Sequence, residues 1–432
     1  MTNKKSINGR GYLLAFLATV LAATILLILS SLLPQSCILE NIAQSIGYLH
    51  SEGERPSVFD REESASLDTF SDIQMLRAAG AMHDGNLGAI LTNDLYCYES
   101  ADSITQELEF FAAGMQEDSI MHYVRYWMGF RALLRVGLTF LSYFQIRRYL
   151  GLAFFCLLFA LTFRIAKYTD EKLAYLFALS VILVRPQVIV SSLQFCCCFF
   201  IAFIAMLIVP WLHRNPKWEG IFFMEIGMLT MYLDFYSVPL ITFGYPMVYL
   251  LVLQVKNSQT VSVKRICTLL LYWFLGWGLM WMAKLLLTTL FTEINGFENG
   301  ISSFLGRVGI IKNQDLLQYY SIPYAFSQLF KVIFSDFEGA IIYCLGILFC
   351  VAAIVYRTVK RSIPLGAYFA HKYFLIIAAI PFVWFVITAQ PIAIHAFFQY
   401  RSIAIVYWSL FAYLYVVFNA KEADGVVICR RQ

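Results

Sequence analysis

The chain has 432 residues, of which 60% are hydrophobic, 17% aromatic and only 14% charged. That composition excludes an ordinary soluble globule and reads as an all-α polytopic membrane protein. The formal net charge of +4 hides a segregation, because residues 34–130 hold 16 of the 28 acidic groups and only Arg55, Arg61, Arg77 and Arg125 against them, a local net charge of −12.

Residues 11–33 carry no charge. At about 1.5 Å per helical residue this run reaches roughly 34 Å, enough to cross a hydrocarbon core of about 30 Å. Lys4, Lys5 and Arg10 precede it, so by the positive-inside rule residues 1–10 are cytoplasmic and the acidic lobe, residues 34–148, is extracytoplasmic. The run is too long for a signal-peptide core and reads as a retained anchor. Within the lobe, Asp68 and Asp72 in SASLDTFSDIQMLRAAG fall four apart and share a face if the segment is helical. Asp68 then has two open readings, a helix N-cap and a general base. Residues 131–148 are amphipathic and basic at both ends, and are expected to lie in the outer interface. There Arg131 and Arg135 would meet headgroups or a lipid-linked phosphate.

Further hydrophobic runs ended by basic loops fall at 149–166, 173–189, 192–212, 220–237, 239–255 and 267–291, giving transmembrane helices 2–7 across 149–291. An outer loop follows at 292–338, rich in glycine and aromatic residues, with Arg307 as a ligand clamp. Runs at 339–356, 373–390 and 402–419 complete about ten spans, and residues 420–432 form a cytoplasmic tail. Every second loop is basic, which keeps this count self-consistent. Charged groups within or beside spans are costly and mark function by default. Asp234 sits near the outer end of the fifth span, Lys284 near the outer end of the seventh. His395, Tyr400 and Arg401 occupy the last outer connection. These groups share one expected surface, and cations there suit phosphate.

The ten cysteines show no zinc spacing, Cys196, Cys197 and Cys198 point in different directions, and no metal ligand is assigned. Cys37 and Cys97 in the lobe are expected to be free thiols. No nucleotide-binding glycine loop appears, and the basic residues follow the membrane rule rather than a nucleic-acid pattern.

One uncharged span, a long acidic outer loop and then many spans resemble the plan of the GT-C superfamily of membrane glycosyltransferases. The resemblance includes a group of bacterial multi-pass proteins of that type. It is carried by LDTFSDIQML at 67–76, YLDFYSVPLITFGYP at 232–246, LGWGLMWMAKLLL at 275–287 and IHAFFQYR at 394–401. It implies transfer of a sugar from a polyprenyl-phosphate donor to a cell-envelope glycan or lipid acceptor at the outer face of the plasma membrane, usually with inversion. An Asp early in the first outer loop would be the base, matching Asp68 or Asp72. Lys284, Arg401 and His395 match the cations that hold the carrier phosphate. The chain departs from the family in lacking an Asp-Glu or Asp-X-Asp signature in that loop, which leaves the base and any divalent cation open. Two other readings stand beside it, a transporter or flippase of lipid-linked glycans and a glycan polymerase.

Overall fold

The computed structural model describes residues 7–59, 63–82, 85–234, 237–334, 365–423 and 426–429, with scattered positions between 344 and 359. The expected span at 339–356 lies largely outside the described residues, as do Arg430 and Arg431 of the tail. The described chain is overwhelmingly helical, with two small antiparallel hairpins.

Helix α1 (Gly9–Ser31) starts at Asn8, whose side chain accepts the Gly11 N–H at 3.1 Å. Its Leu13, Leu14, Leu17 and Leu21 are all more than half exposed. Such exposure would be costly in water and is natural against lipid, where a helix satisfies its own backbone.

The lobe then builds its own core. It contains α2 (Gln35–Glu52), α3 (Thr69–Gly80), α4 (Leu87–Thr92), α5 (Ile104–Ala112) and α6 (Phe130–Leu138). Strands β1 (Asp94–Cys97) and β2 (Ser119–His122) pair between them, with Asp94 opposite His122. Ile38 and Ile42 of α2, Ile73 and Leu76 of α3 and Leu108 of α5 recur at three- and four-residue spacing and bury one stripe each. Cys37 and Cys97 are both free thiols.

Residues 131–148 do not form one interfacial helix. Helix α6 stops at Leu138, and α7 (Tyr143–Tyr168) begins afresh behind a capping box of Ser142 and Gln145. The two basic ends serve different partners. Arg135 is buried in the lobe, and Arg147 at the start of α7 holds Glu52 at 2.9 Å.

Among the described residues, five stretches are long and apolar enough to cross a membrane: α1, α7, α10 (Leu193–Arg214), α13 (Val263–Phe291) and the continuous run Ala389–Asn419. The expected span 173–189 is broken. Helix α8 (Glu171–Ile182) ends, Arg185 takes a left-handed φ of 61°, and Pro186 opens the single turn α9 (Pro186–Ile189). A residue with positive φ cannot continue a right-handed helix, and proline has no N–H to donate within one. Helices α11 (Glu219–Leu233) and α12 (Ile241–Lys256) have 15 and 16 residues, or about 23–24 Å. Asp234 and Ser237 interrupt the chain between them.

Beyond α13, the loop at 292–338 holds α14 (Gly296–Arg307), a 3-10 stretch at Gln314–Tyr320 and the amphipathic α15 (Ile322–Ile333). Lys331 of α15 meets Glu63 of the lobe at 2.5 Å. Further along come α16 (Leu365–Ala370), α17 (Tyr373–Ile387), α18 (Ala389–Gln399) and α19 (Ile403–Asn419), followed by the hairpin β3 (Ala420–Ala423) and β4 (Val426–Cys429).

Helices α10 and α12 fill the centre, where Phe177, Phe203, Tyr245 and Trp408 meet edge to face or tilted at 5.4–6.5 Å. Helices α11 and α13 approach still more closely. A Cβ on Gly227 would stand 2.1 Å from the Trp273 carbonyl oxygen, and one on Gly276 would stand 2.0 Å from that of Met224. Small residues at this crossing are therefore required, as in many membrane helix pairs.

Candidate functional site

A cavity of about 620 Å³ lies where the lobe meets the helical bundle. That is a mid-range volume for a small-molecule site. Several separate parts of the chain line it. The start of α3 supplies Asp68, Phe70, Ser71 and Gln74, and the segment after β2 supplies Tyr123, Arg125 and Tyr126. Gln194 comes from the first turn of α10, Arg307 from the end of α14, and His395 and Phe398 from α18, with Arg55 from the lobe.

The charge pattern is sharp. Among the described residues, Asp68 is the one carboxylate in a lining that carries three guanidinium groups, those of Arg55, Arg125 and Arg307. Asp68 caps α3, accepting the Ser71 N–H at 3.1 Å and its hydroxyl at 2.8 Å. Each carboxylate oxygen keeps further lone-pair capacity. Burial pushes the Asp68 carboxyl above its ordinary value, partly opposed by the Ser71 hydroxyl and N–H and by Arg55. The arginines are braced by aromatic faces: Arg125 lies 3.8 Å from the Tyr123 ring centre and 5.6 Å from that of Tyr126, and Arg307 lies 5.1 Å from Tyr126. The Trp281 indole donates to the Arg125 carbonyl at 3.0 Å, tying this segment to α13.

Three polar atoms here are buried with no partner among the described residues: Gln194 Oε1, His395 Nδ1 and Arg125 Nε. Gln194 is only 3% exposed. Buried polar groups are normally satisfied, so these three mark a place for a polar ligand. A smaller apolar groove adjoins the cavity at Arg125, Tyr126 and Arg307 and is walled by Met231, Trp277, Trp281 and Phe304. An anionic head with an apolar tail matches this pairing of arginines and aromatic wall. A divalent cation does not, because one carboxylate faces three guanidinium groups. Among the described residues no three His, Cys, Asp or Glu side chains gather as a metal site.

Of the residues singled out from sequence, Asp68, Arg307 and His395 line this cavity. The others are occupied elsewhere. Asp72 is fully buried and accepts four hydrogen bonds: Tyr143 hydroxyl at 2.8 Å, Ser192 hydroxyl at 3.0 Å, and the N–H groups of Leu193 and Gln194 at 2.9 and 3.2 Å. It caps the start of α10 from across the lobe junction, satisfying N–H groups a helix leaves free. Asp72 does not line the cavity, and its carboxylate is engaged by these four donors. Asp234 is likewise spent locally, accepting the Ser237 N–H at 2.9 Å and its hydroxyl at 2.5 Å where α11 ends.

The buried cations bind carbonyls rather than phosphate. Arg135 donates to the carbonyls of Ser30 at 2.8 Å, Ala79 at 2.7 Å, Leu33 at 3.2 Å and Ser31 at 3.4 Å, and to Gln35 Oε1 at 3.1 Å. It thereby closes the C-terminal end of α1. Burial pulls its guanidinium down to about 10, still cationic at neutral pH. Arg131 donates to the Ile90 carbonyl at 2.8 Å, and Lys284 to the neighbouring Leu91 carbonyl, so both cations sit at the negative end of α4. Neither Arg131 nor Arg135 reaches headgroups. Tyr400 and Arg401 both donate to the Ser64 carbonyl at 3.1 Å and fasten the lobe to α19.

Sequence reasoning passed over Arg55, Arg125 and Gln194. Arg125 had a signal, since YVRYW brackets it with aromatic residues, and Gln194 is a lone amide at the head of an apolar run. Comparison with protein-family models, with curated proteins and with solved structures returned no match.

Proposed function

We propose that the chain is a GT-C-type membrane glycosyltransferase that uses the cavity at the lobe–bundle junction. In this reading it has about ten spans, cytoplasmic termini and an extracytoplasmic lobe in the plasma membrane. The donor is a polyprenyl-phosphate-linked sugar and the acceptor a hydroxyl on an envelope glycan or lipid. The observation that carries the reading is one buried carboxylate, Asp68, opposed by Arg55, Arg125 and Arg307 in a single cavity that continues into an aromatic groove.

The reaction balances without a cofactor. The acceptor oxygen forms a bond to the anomeric carbon as the bond from that carbon to the phosphate oxygen breaks. The electron pair leaves with the phosphate, and the acceptor proton passes to Asp68. Arginine forks stabilise the charge that grows on the departing phosphate. Attack from the face opposite the leaving group inverts the anomeric centre. Burial of Asp68 raises its basicity towards a working range for a general base. Gln194 and His395 would position the sugar hydroxyls.

Equilibrium binding of polyprenyl phosphate to the protein in nanodiscs tests the phosphate half. Arg125→Ala and Arg307→Ala should each weaken binding at least tenfold, whereas Arg214→Ala, exposed at the far end of α10, should leave it unchanged. Equal affinity in all three variants would remove the arginines from the site.

A further inference from the structure

A second cavity, of about 300 Å³, lies on the lobe side of α3. It shares Phe70, Gln74, Leu95 and Met121 with the first cavity, so the two are adjoining parts of one cleft. Its own wall adds Arg77, Asp102, Ser103 and Glu107. Resting on the transferase reading above, we propose that this lobe groove is the acceptor subsite and that it takes an uncharged glycan.

Three observations converge on that assignment. The first is position. Asp68 caps α3, and Phe70 and Gln74, two and six residues further along the same helix, stand at the junction of the two cavities. A chain lying in the groove presents its end towards the carboxylate.

The second is polarity. The first cavity carries three arginines and one aspartate, formally +2. The groove carries Arg77, Asp102 and Glu107, formally −1, and Arg77 is already held by Glu107 at 2.5 Å. The cleft is thus cationic where a phosphate would leave and mildly anionic where the acceptor would lie. An acceptor rich in phosphate or carboxylate is repelled from the groove, and one without charge is not.

The third is the lining itself. Phe70 is 40% exposed and Met121 52%, which offers an apolar bed for the C–H face of a sugar ring. Around it stand the hydroxyl-binding groups Gln74, Ser103 and Asp102. Arg77 is only 2% exposed, yet its Nε–H has no acceptor among the described residues.

The test uses full-length protein in nanodiscs and a wall residue that the first cavity does not share. Ala101→Trp fills the groove. The expected result is at least a tenfold rise in the KM for an uncharged glycan acceptor, with donor KM and slow donor hydrolysis by water unchanged. An unchanged acceptor KM overturns the assignment, as does an equal loss of donor hydrolysis in a variant whose thermal unfolding matches the parent. A second measurement needs no variant. Binding of uncharged trisaccharides to the parent should exceed that of their uronic-acid counterparts at least tenfold, and equal or reversed preference overturns the proposal. The transferase reading fails separately, if the parent turns over no polyprenyl-phosphate sugar; glycan binding that Ala101→Trp abolishes would then still identify the groove.

Discussion

Arg135 is the sharpest test of how the lobe is joined to the membrane. Its guanidinium is fully buried and donates to four main-chain carbonyls and one amide oxygen, three of those carbonyls at the end of α1. Replacement by Met keeps length and apolar bulk but takes the charged donor from all of those carbonyls, of which Ser30 alone is shown with a backbone partner, the Leu33 N–H. A hydrogen bond to a charged group contributes about 1.5–3 kcal/mol, and a buried acceptor left alone costs about 1–3 kcal/mol. The terms overlap and local relaxation recovers part, so the expected loss is about 3–5 kcal/mol. Arg148→Met, at an exposed position on α7, should fall within about 0.5 kcal/mol of the parent. Unfolding of both variants in the same lipid nanodiscs, followed by far-ultraviolet circular dichroism, reads the difference. Parent-like stability of Arg135→Met would refute the carbonyl cage, and loss of lipid binding at unchanged stability would restore the interfacial role.

Asp72 titrates on the opposite side from most carboxylates, because burial outweighs its four donors and raises it to about 6. With an unfolded value near 4, the folded state holds the proton alone between about pH 4 and 6; stability should fall by up to about 3 kcal/mol as pH rises through that window and level off above it. Asp72→Asn should abolish that slope in stability measured from pH 4 to 7, and an unchanged slope would assign it elsewhere. Gly276→Val should push α11 and α13 apart, because even a Cβ there meets the Met224 carbonyl at 2.0 Å. The expected cost is about 3 kcal/mol or more, read as lost yield of folded protein, and normal yield would contradict the crossing. The transfer rate should rise with pH through a midpoint above the ordinary carboxylate value, because burial raises Asp68 and its ionised form is the base. A rate flat between pH 4 and 8 would exclude that role.

Much of the architecture was legible in the chain. The uncharged run at 11–33 and the apolar runs at 192–212 and 267–291 all appear as helices with nearly those limits. The short helices were harder, since an apolar run does not disclose where a left-handed residue such as Arg185 will break it. Among site residues the reason for error is physical. A charge in an apolar setting signals that a partner exists but not which one. Lys284, Arg131 and Arg135 looked like phosphate ligands and instead satisfy helix-end carbonyls. Asp68 and Asp72 share spacing and composition, and only the fold separates the cavity-lining cap from the buried one. The cations that share a cavity with Asp68 come from the lobe and the 292–338 loop, not from the long apolar helices.

The most direct measurement is single-turnover transfer from a defined polyprenyl-phosphate sugar in proteoliposomes, comparing the parent with Asp68→Asn. Asn remains a good N-cap, so α3 should persist and unfolding should match the parent. Loss of the base predicts a rate at least 10²-fold lower, within the roughly 10²–10⁴-fold span of general-base contributions. A folded Asp68→Asn protein that transfers sugar at the parent rate would contradict the account.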